Sequence, residues 1–323
     1  MSADAPARPL LALVGPTAVG KTTLSLELAR RFDGEIISAD SRLFYRGMDI
    51  GTAKPTAEER AVAPHHLIDL CRPDETLGLG QYQRLAYAAI DGVLARGRLP
   101  ILVGGTGQYV MAVVDGWGIP EVAPQPALRA ALEALGGAEA ARWLAALDPT
   151  AAARIDPRNV RRVVRALEVT LVTGRRISDL QRKTPPPYHT HIIGLTRGRD
   201  SLYARIDTRV DAMMAAGLLD EVRRLREAGF AAEPALSGLG YRQLLAYLDG
   251  ALTLDDAVTR IKFETHRFAR QQATWFRADD PRITWFDLDA REDPTAAVVA
   301  HTAAWLGLRR TTDDRPRTTA GRQ

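Results

Sequence analysis

Eight residues, Gly15-Pro16-Thr17-Ala18-Val19-Gly20-Lys21-Thr22, carry the spacing GxxxxGK[ST] of a phosphate-binding P-loop. Gly15 and Gly20 let the backbone curl until successive N–H groups face one concavity, a shape that suits an anion. Lys21 brings a mobile cation to the outer phosphates, and Thr22 can place its hydroxyl on Mg²⁺. The apolar run Leu10–Val14 before the loop reads as a strand, and Thr23–Arg30 after it as a helix whose positive N-terminal end adds to the same field. An ordinary glycine-rich turn would explain the glycines alone; the strand before and the helix after single out the phosphate site.

Two further polar segments follow predicted strands, where an open parallel sheet binds its ligands. After Glu35–Ala39 comes Asp40-Ser41-Arg42-Leu43-Phe44-Tyr45. Asp40 is suited to act as a general base, as a metal ligand through water, or as a helix N-cap. After Pro100–Gly104 comes Gly105-Thr106-Gly107-Gln108-Tyr109. Its glycines admit a ligand to the backbone and Thr106 offers a hydroxyl; a tight strand-to-helix turn is the alternative. Arg205 and Arg209, four apart on a predicted helix, point either to one anionic group or to a surface lattice with Asp207 and Asp211. Ser237–Arg242 and Arg270–Arg277 mix cations, amides and aromatics, a vocabulary for gripping unstacked nucleotides, although Trp275 and Phe276 taken alone read as core. His65, His66 and Asp69 lack the further ligand spacing of a zinc site.

These segments need a scaffold, and the composition allows one. With 323 residues, 46% of them hydrophobic, the chain can bury the core of one large or two modest domains. No apolar run approaches the ~20 residues of a membrane span, and the polar start of the chain leaves no room for a secretion signal. A single cysteine, Cys71, can form no internal disulfide; it reads as a small buried apolar residue in a reducing, cytoplasmic setting. Net charge is only +4, but residues 158–183 hold Arg158, Arg161, Arg162, Arg165, Arg175, Arg176, Arg182 and Lys183 against Glu168 and Asp179. Such an excess fits a polyanion partner, or else a solvated helix face.

The first third alternates strands and helices, with continuous apolar strands at 10–14, 35–39 and 100–104 and a helix over 81–96. That is the pattern of a parallel sheet covered on both faces. Gly116, Gly118, Pro120, Pro124 and Pro126 mark a boundary, and 127–182 reads as purely helical until Pro185-Pro186-Pro187. His191–Leu195 reads as a return strand, 202–228, 241–248 and 253–276 as helices, and Ile283–Phe286 as a last strand. The expected fold is α/β: a P-loop NTPase-like parallel sheet flanked by helices, with an inserted all-helical domain. The core would comprise 1–117 and 190–310, the insertion 118–189, and a disordered tail 311–323.

In this order the segments resemble the bacterial tRNA dimethylallyltransferases, also called tRNA isopentenyltransferases. The resemblance rests on GPTAVGKT at 15–22, SADSRLFYRGMDIGTAKP at 38–55, PHHLID at 64–69, LVGGTGQY at 102–109, RRVVRALEV at 161–169, RIDTRVDAM at 205–213, GLGYRQ at 238–243 and QATWFR at 272–277. It spans nearly the whole chain, and GTAKP distinguishes it from P-loop kinases. It implies transfer of a dimethylallyl group from its diphosphate to N6 of the adenine 3′ of the anticodon (position 37), in tRNAs reading codons that start with U. The P-loop, Gly15 to Thr22, would then hold a prenyl diphosphate rather than ATP. Lys21, Thr22, Arg209 and Mg²⁺ would stabilise the charge growing on the leaving diphosphate. Asp40 would take the proton from N6, and Thr106 would lie in the reaction channel.

By the same resemblance Asp40, Ser41, Arg42, Leu43, Thr106, Arg129, Arg161, Arg162, Arg165, Gly240, Tyr241, Arg242, Arg270, Gln272, Thr274, Trp275 and Arg277 face tRNA. The helical insertion would grip the anticodon stem-loop, with phosphate contacts that position rather than specify. The target base would leave its stack to reach the channel. A monomer is expected. Gln271 stands where the family pattern has arginine, and Arg270 is its cationic neighbour. The rival readings are a small-metabolite P-loop kinase, which has no use for a basic insertion, and a free-nucleotide prenyltransferase, which needs neither insertion nor tRNA-contact segments. A GTPase switch is disfavoured by the lack of an Asn-Lys-x-Asp segment.

Overall fold

A computed structural model describes residues 8–290 and 293–307; the tail expected at 311–323 lies outside the described residues. Six parallel strands form one sheet: β1 (Pro9–Val14), β2 (Gly34–Ser38), β3 (His65–His66), β4 (Leu99–Gly104), β5 (His189–Thr196) and β6 (Ile283–Asp287). Their spatial order is β3-β2-β4-β1-β5-β6, with Ala12 of β1 level with Leu102 on one side and Ile192 on the other. The central strand β1 is apolar throughout because both of its faces are covered. Leu10, Ala12 and Val14 enter one core layer, while Leu11 and Leu13 enter the other.

The helices are α1 (Lys21–Arg31), α2 (Ala57–Val62), α3 (Leu79–Ala95), α4 (Gly107–Val114), α5 (Pro126–Ala134), α6 (Gly137–Leu147), α7 (Pro149–Ala152), α8 (Val160–Thr173), α9 (Ile177–Leu180), α10 (Arg199–Ala215), α11 (Leu218–Glu227), α12 (Tyr241–Leu248), α13 (Leu254–Gln272) and α14 (Pro294–Trp305). Helix α3 buries Tyr82, Ala86, Ile90 and Val93, a one-sided stripe, in the layer with Leu10 and Ala12. Helices α1 and α10 to α13 cover the opposite face. The single helix expected over 202–228 is two. Gly217 adopts φ +95°, a left-handed conformation that ends α10 and lets the chain turn into α11. Likewise α13 stops at Gln272 rather than at 276. The short edge strand β3 and helices α2 and α14 carried too little periodicity to be expected.

Helices α5 to α9 pack round a core of their own, built from Leu132, Ala140, Leu144, Val163, Val164, Leu167 and Ile177. The two chain crossings into this unit lie side by side, where Gly118 N–H donates to the Arg182 carbonyl at 2.7 Å and Thr184 N–H to the Gly116 carbonyl at 2.8 Å. Asp115 clamps that junction by pairing with Lys183 at 2.7 Å and Arg282 at 2.8 Å. These contacts join the two crossings of the chain beside the sheet, and Arg84 of α3 pairs with Glu121 just beyond them.

Candidate active site

The P-loop closes β1 onto α1, and its carbonyls are taken up from outside. Lys21 Nζ donates to the Gly15 and Pro16 carbonyls at 2.8 and 2.7 Å. Arg205 Nε donates to the Ala18 carbonyl and Arg197 Nε to the Val19 carbonyl, both at 2.9 Å. With these acceptors occupied, the amides of Ala18, Gly20, Lys21 and Thr22 have no backbone acceptor among the described residues. Free N–H groups beside a helix N-terminus form a nest for an anion. Ala18 itself sits at φ +61°, a strained conformation for a residue with a Cβ.

Beyond the carboxyl ends of the strands opens a cavity of about 730 Å³. Thr17, Ala18, Asp40, Ser41, Arg42 and Thr106 line its inner part, with Arg209 from α10. Among the described residues no hydrogen bond or ion pair engages the Arg209 guanidinium. Burial pushes both cations toward their neutral forms: Lys21 is lowered to about 8 and Arg209 is lowered as well. The nearby Asp40 charge opposes the shift in each case. An entering anion would therefore meet two poorly solvated cations, one of them unpaired, and relieve both.

Asp40 caps no helix. It follows β2 in a tight turn, in which its carboxylate accepts Arg42 N–H at 3.0 Å and its carbonyl accepts Leu43 N–H at 3.2 Å. The turn rests on an aromatic floor: Tyr82 lies 5.5 Å from Phe44 and 4.8 Å from Tyr109 between ring centroids, and its hydroxyl donates to the Ser38 carbonyl at 3.1 Å. Because Tyr109 belongs to α4, the same floor fixes the helix whose N-cap position is Thr106. The Arg42 guanidinium donates to the Ala235 carbonyl at 3.0 Å, and half-buried Leu43 is not among the residues that line the cavity, its carbonyl accepting Asp69 N–H.

The motif residues 48–54 are fastened by two side chains that composition did not single out. Glu221 of α11, 1% exposed, accepts the amides of Asp49, Ile50 and Gly51 and the hydroxyl of Tyr241. Lys54 is buried and donates to Asp49, Asp69 and the Tyr45 carbonyl at 2.6 to 2.7 Å. The network holds Ala53, Leu67 and Asp69 at positive φ, so GTAKP and PHHLID are partner segments of one strained loop pair. In sequence Glu221 is one acidic residue among several on an amphipathic helix, and no local signal marks it.

The remaining expected tRNA-facing residues divide. Gly240, Tyr241 and Arg242 all line the cavity; Arg242 pairs with Glu264, while Tyr241 is buried and directs its hydroxyl to Glu221. Trp275 is 43% exposed and packs over Gly107, and Thr274, Arg270 and Arg277 are exposed, Arg270 donating to the Tyr203 hydroxyl and Arg277 pairing with Asp279. Gln272 is buried against the P-loop. Gln271 lies at the cavity wall together with Phe263, 63% exposed, a large apolar surface that the sequence reading passed over. In the helical unit Arg161 and Arg162 are exposed, and among the described residues their guanidinium groups make no hydrogen bond or ion pair, whereas Arg129 and Arg165 converge on buried Glu168 at 2.8 and 2.5 Å. Burial pushes the Glu168 carboxyl up, but bonds from Arg129, the Gln125 amide and Arg165 outweigh it and hold it at about 2.

Thr22 is exposed at the rim of the loop and offers a hydroxyl, and Asp40 a carboxylate. Among the described residues no group of three or more His, Cys, Asp or Glu converges. Hard oxygen donors this few suit a cation that keeps waters and binds substrate phosphates, the habit of Mg²⁺. No helix among the described residues is long and apolar enough to cross a membrane.

A family model described as IPP transferase matches residues 43–279. The chain is 60% identical over 274 residues to a tRNA dimethylallyltransferase of Roseiflexus sp., covering 83% of this chain and 90% of the relative. It is 53% identical to that of Thermomicrobium roseum, covering 87% of each. Among solved structures it is similar to the tRNA isopentenylpyrophosphate transferase of Bacillus halodurans, with 43% identity, a TM-score of 0.70, and 93% of this chain and 97% of that one covered. A eukaryotic dimethylallyltransferase acting on tRNA gives a TM-score of 0.82 at 26% identity, over 95% and 81% of the two chains.

Proposed function

The chain belongs to the IPP transferase family, and from that premise we propose that it transfers a dimethylallyl group from dimethylallyl diphosphate to N6 of the adenine 3′ of the anticodon, in tRNAs reading codons that start with U. The observation that carries the reading is one cavity bearing both a P-loop and Asp40, walled by α13 and the Ser237–Arg242 segment. A P-loop with a nearby carboxylate would also serve phosphoryl transfer; the wide walls from α13 and Ser237–Arg242 suit a bulky second substrate.

In the proposed reaction the allylic C–O bond breaks and its electron pair leaves on the diphosphate, while a C–N bond forms at N6. The amides of Ala18, Gly20, Lys21 and Thr22, with the Lys21 and Arg209 side chains, receive the growing negative charge. Asp40, beside both cations, accepts the N6 proton. Thr22, with Asp40 through water, would hold Mg²⁺, which when bound neutralises charge on the diphosphate. An exocyclic amine is a weak nucleophile, so Thr106 and the α4 turn act chiefly by holding the base in line with the carbon. Apolar walls from Ile206, Val210 and Met213 fit the prenyl chain.

The same proposal takes residues 118–189 as the domain that grips the anticodon stem-loop, through Arg161 and Arg162 on its exposed surface. Tyr241 would serve by shaping the Gly240 turn rather than by touching RNA. A monomer in the cytoplasm, with its cysteine buried, accords with a tRNA substrate. The test is incubation with labelled dimethylallyl diphosphate, Mg²⁺ and unmodified tRNA. Label in tRNA with release of diphosphate is expected. Phosphate transfer from ATP to a metabolite, with unlabelled tRNA, would replace this reading with the kinase.

A further inference from the structure

The side chain of Gln272 spans the gap between the two loops that hold the proposed substrates. Its Oε1 accepts the Thr17 amide of the P-loop at 2.8 Å, and its Nε2 donates to the Gly105 carbonyl at 2.9 Å. It is 5% exposed, and its bond to Gly105 is buried while that to the half-buried Thr17 lies at the cavity edge, so leaving either unmade would be costly. Close approach at this junction requires a glycine: a Cβ on residue 105 would lie 2.4 Å from Gln272 Nε2 and 3.1 Å from the Gly15 carbonyl. The amide thus fits between P-loop and β4–α4 turn with no room to spare. Three residues further on, Trp275 packs its Cβ and ring over Gly107, so the end of α13 grips the same turn twice.

Resting on the reading above, we infer that Gln272 is a positioning residue: it sets the spacing between the P-loop and the Thr106 turn, and so aligns the diphosphate with the base channel. Arg270, two residues before it, is exposed, and Trp275, three after it, is 43% exposed while its ring packs over Gly107; Gln272 between them is buried. The segment 270–277 therefore presents one surface to solvent and its other side to the two loops. Holding the Thr17 amide also leaves Ala18, Gly20, Lys21 and Thr22 to face the anion, since one loop N–H is tied down where it cannot compete.

Two full-length variants test this. Gln272→Met keeps the length and volume but removes both bonds; Gly105→Ala keeps the glutamine and displaces its amide. Inorganic diphosphate binding by calorimetry, tRNA binding by anisotropy, steady-state transfer and thermal unfolding are measured for each. In both variants we expect diphosphate affinity and kcat each to fall about tenfold, with tRNA affinity within about twofold of the parent. Loss of tRNA affinity with unchanged diphosphate affinity would overturn the inference and make Gln272 an RNA contact. Unchanged values throughout would overturn it too. Should Gln272→Met fail to fold, Gly105→Ala decides: unchanged diphosphate binding there leaves Gln272 a packing residue only. Because inorganic diphosphate is the probe, the inference is read even if the parent protein labels no tRNA, which would defeat the functional reading alone.

Discussion

The hydroxyl of Tyr241 donates to Glu221 Oε1 at 2.7 Å, and the same carboxylate receives the amides of Asp49, Ile50 and Gly51 at 2.8 to 3.1 Å. One buried anion thereby joins the loop carrying GTAKP to the helix that opens the GLGYRQ segment. Burial and the facing Glu221 charge push the Tyr241 hydroxyl far above its usual range, so it stays a donor. Tyr241→Phe removes one bond and should cost about 1 kcal/mol of stability, whereas Glu221→Leu strands four donors and should cost about 4 kcal/mol. Urea unfolding measures both. Equal midpoints for the two variants would mean that the loop is held by something else.

Lys21 gives a pH signature with a definite sign. Burial lowers it to about 8, with Asp40 opposing and Arg209 assisting. Diphosphate favours the protonated lysine, so affinity should fall as pH rises through about 8, and binding above that pH should take up a proton. Stability of the free protein runs the other way. The unfolded chain holds the proton to about pH 10.4, so the fold gains stability between about pH 8 and that value. Calorimetry in two buffers of different ionisation enthalpy reads the proton, and Lys21→Met should abolish the uptake.

Asp40→Asn keeps an acceptor for the Arg42 amide, so the turn survives. Transfer should fall at least about 100-fold while tRNA affinity changes little, because the proton acceptor and the charge beside Mg²⁺ are lost while the turn that faces RNA stays. A variant that transfers normally but binds tRNA poorly would make Asp40 a recognition residue.

The arginines of the helical unit should separate into two kinds. Arg161→Ala and Arg162→Ala should each lower the slope of log affinity against log salt by about one, without changing stability. Arg129→Ala instead removes two bonds to Glu168, at 2.8 and 2.9 Å, and should cost about 2 kcal/mol. A salt titration of tRNA binding beside a melting curve distinguishes them; identical behaviour of all three would refute the division.

Acid should loosen the same unit. With Glu168 held at about 2 in the fold, its bonds stabilise fully above the ordinary carboxylate range near pH 4.3 and are lost as pH falls toward 2. Near-ultraviolet signals from Trp143, which lies in this unit on α6, should report the loss on acid titration. Glu168→Gln should flatten that transition.

The parallel sheet and the P-loop were legible because their causes are local. Continuous apolar strands follow from burial on both faces, and GxxxxGKT follows from the need of one anion for free amides. The break between α10 and α11 was not read within the helix expected over 202–228, since Gly217 can also sit inside a helix and its left-handed conformation becomes evident only when α11 packs back. Glu221, Lys54 and Phe263 were not legible at all as members of the site. Glu221 binds amides 170 to 172 positions away, Lys54 joins nearby Asp49 to Asp69, 15 positions on, and Phe263 belongs to the site only as part of the cavity wall.

Gln272 draws the line most sharply. Beside arginine, threonine and tryptophan it reads as one more polar residue for gripping RNA. Because α13 ends at that residue, its amide turns inward to Thr17 and Gly105, 255 and 167 positions away. Residue types and spacing were enough to name the chemistry available: a phosphate nest, a carboxylate after β2, a hydroxyl after β4 and a basic insertion. Which side chains face the cavity and which hold the loops around it emerged from packing alone. Hydrogen bonds and burial are properties of pairs, and pairs so distant along the chain leave no periodicity for either member to display.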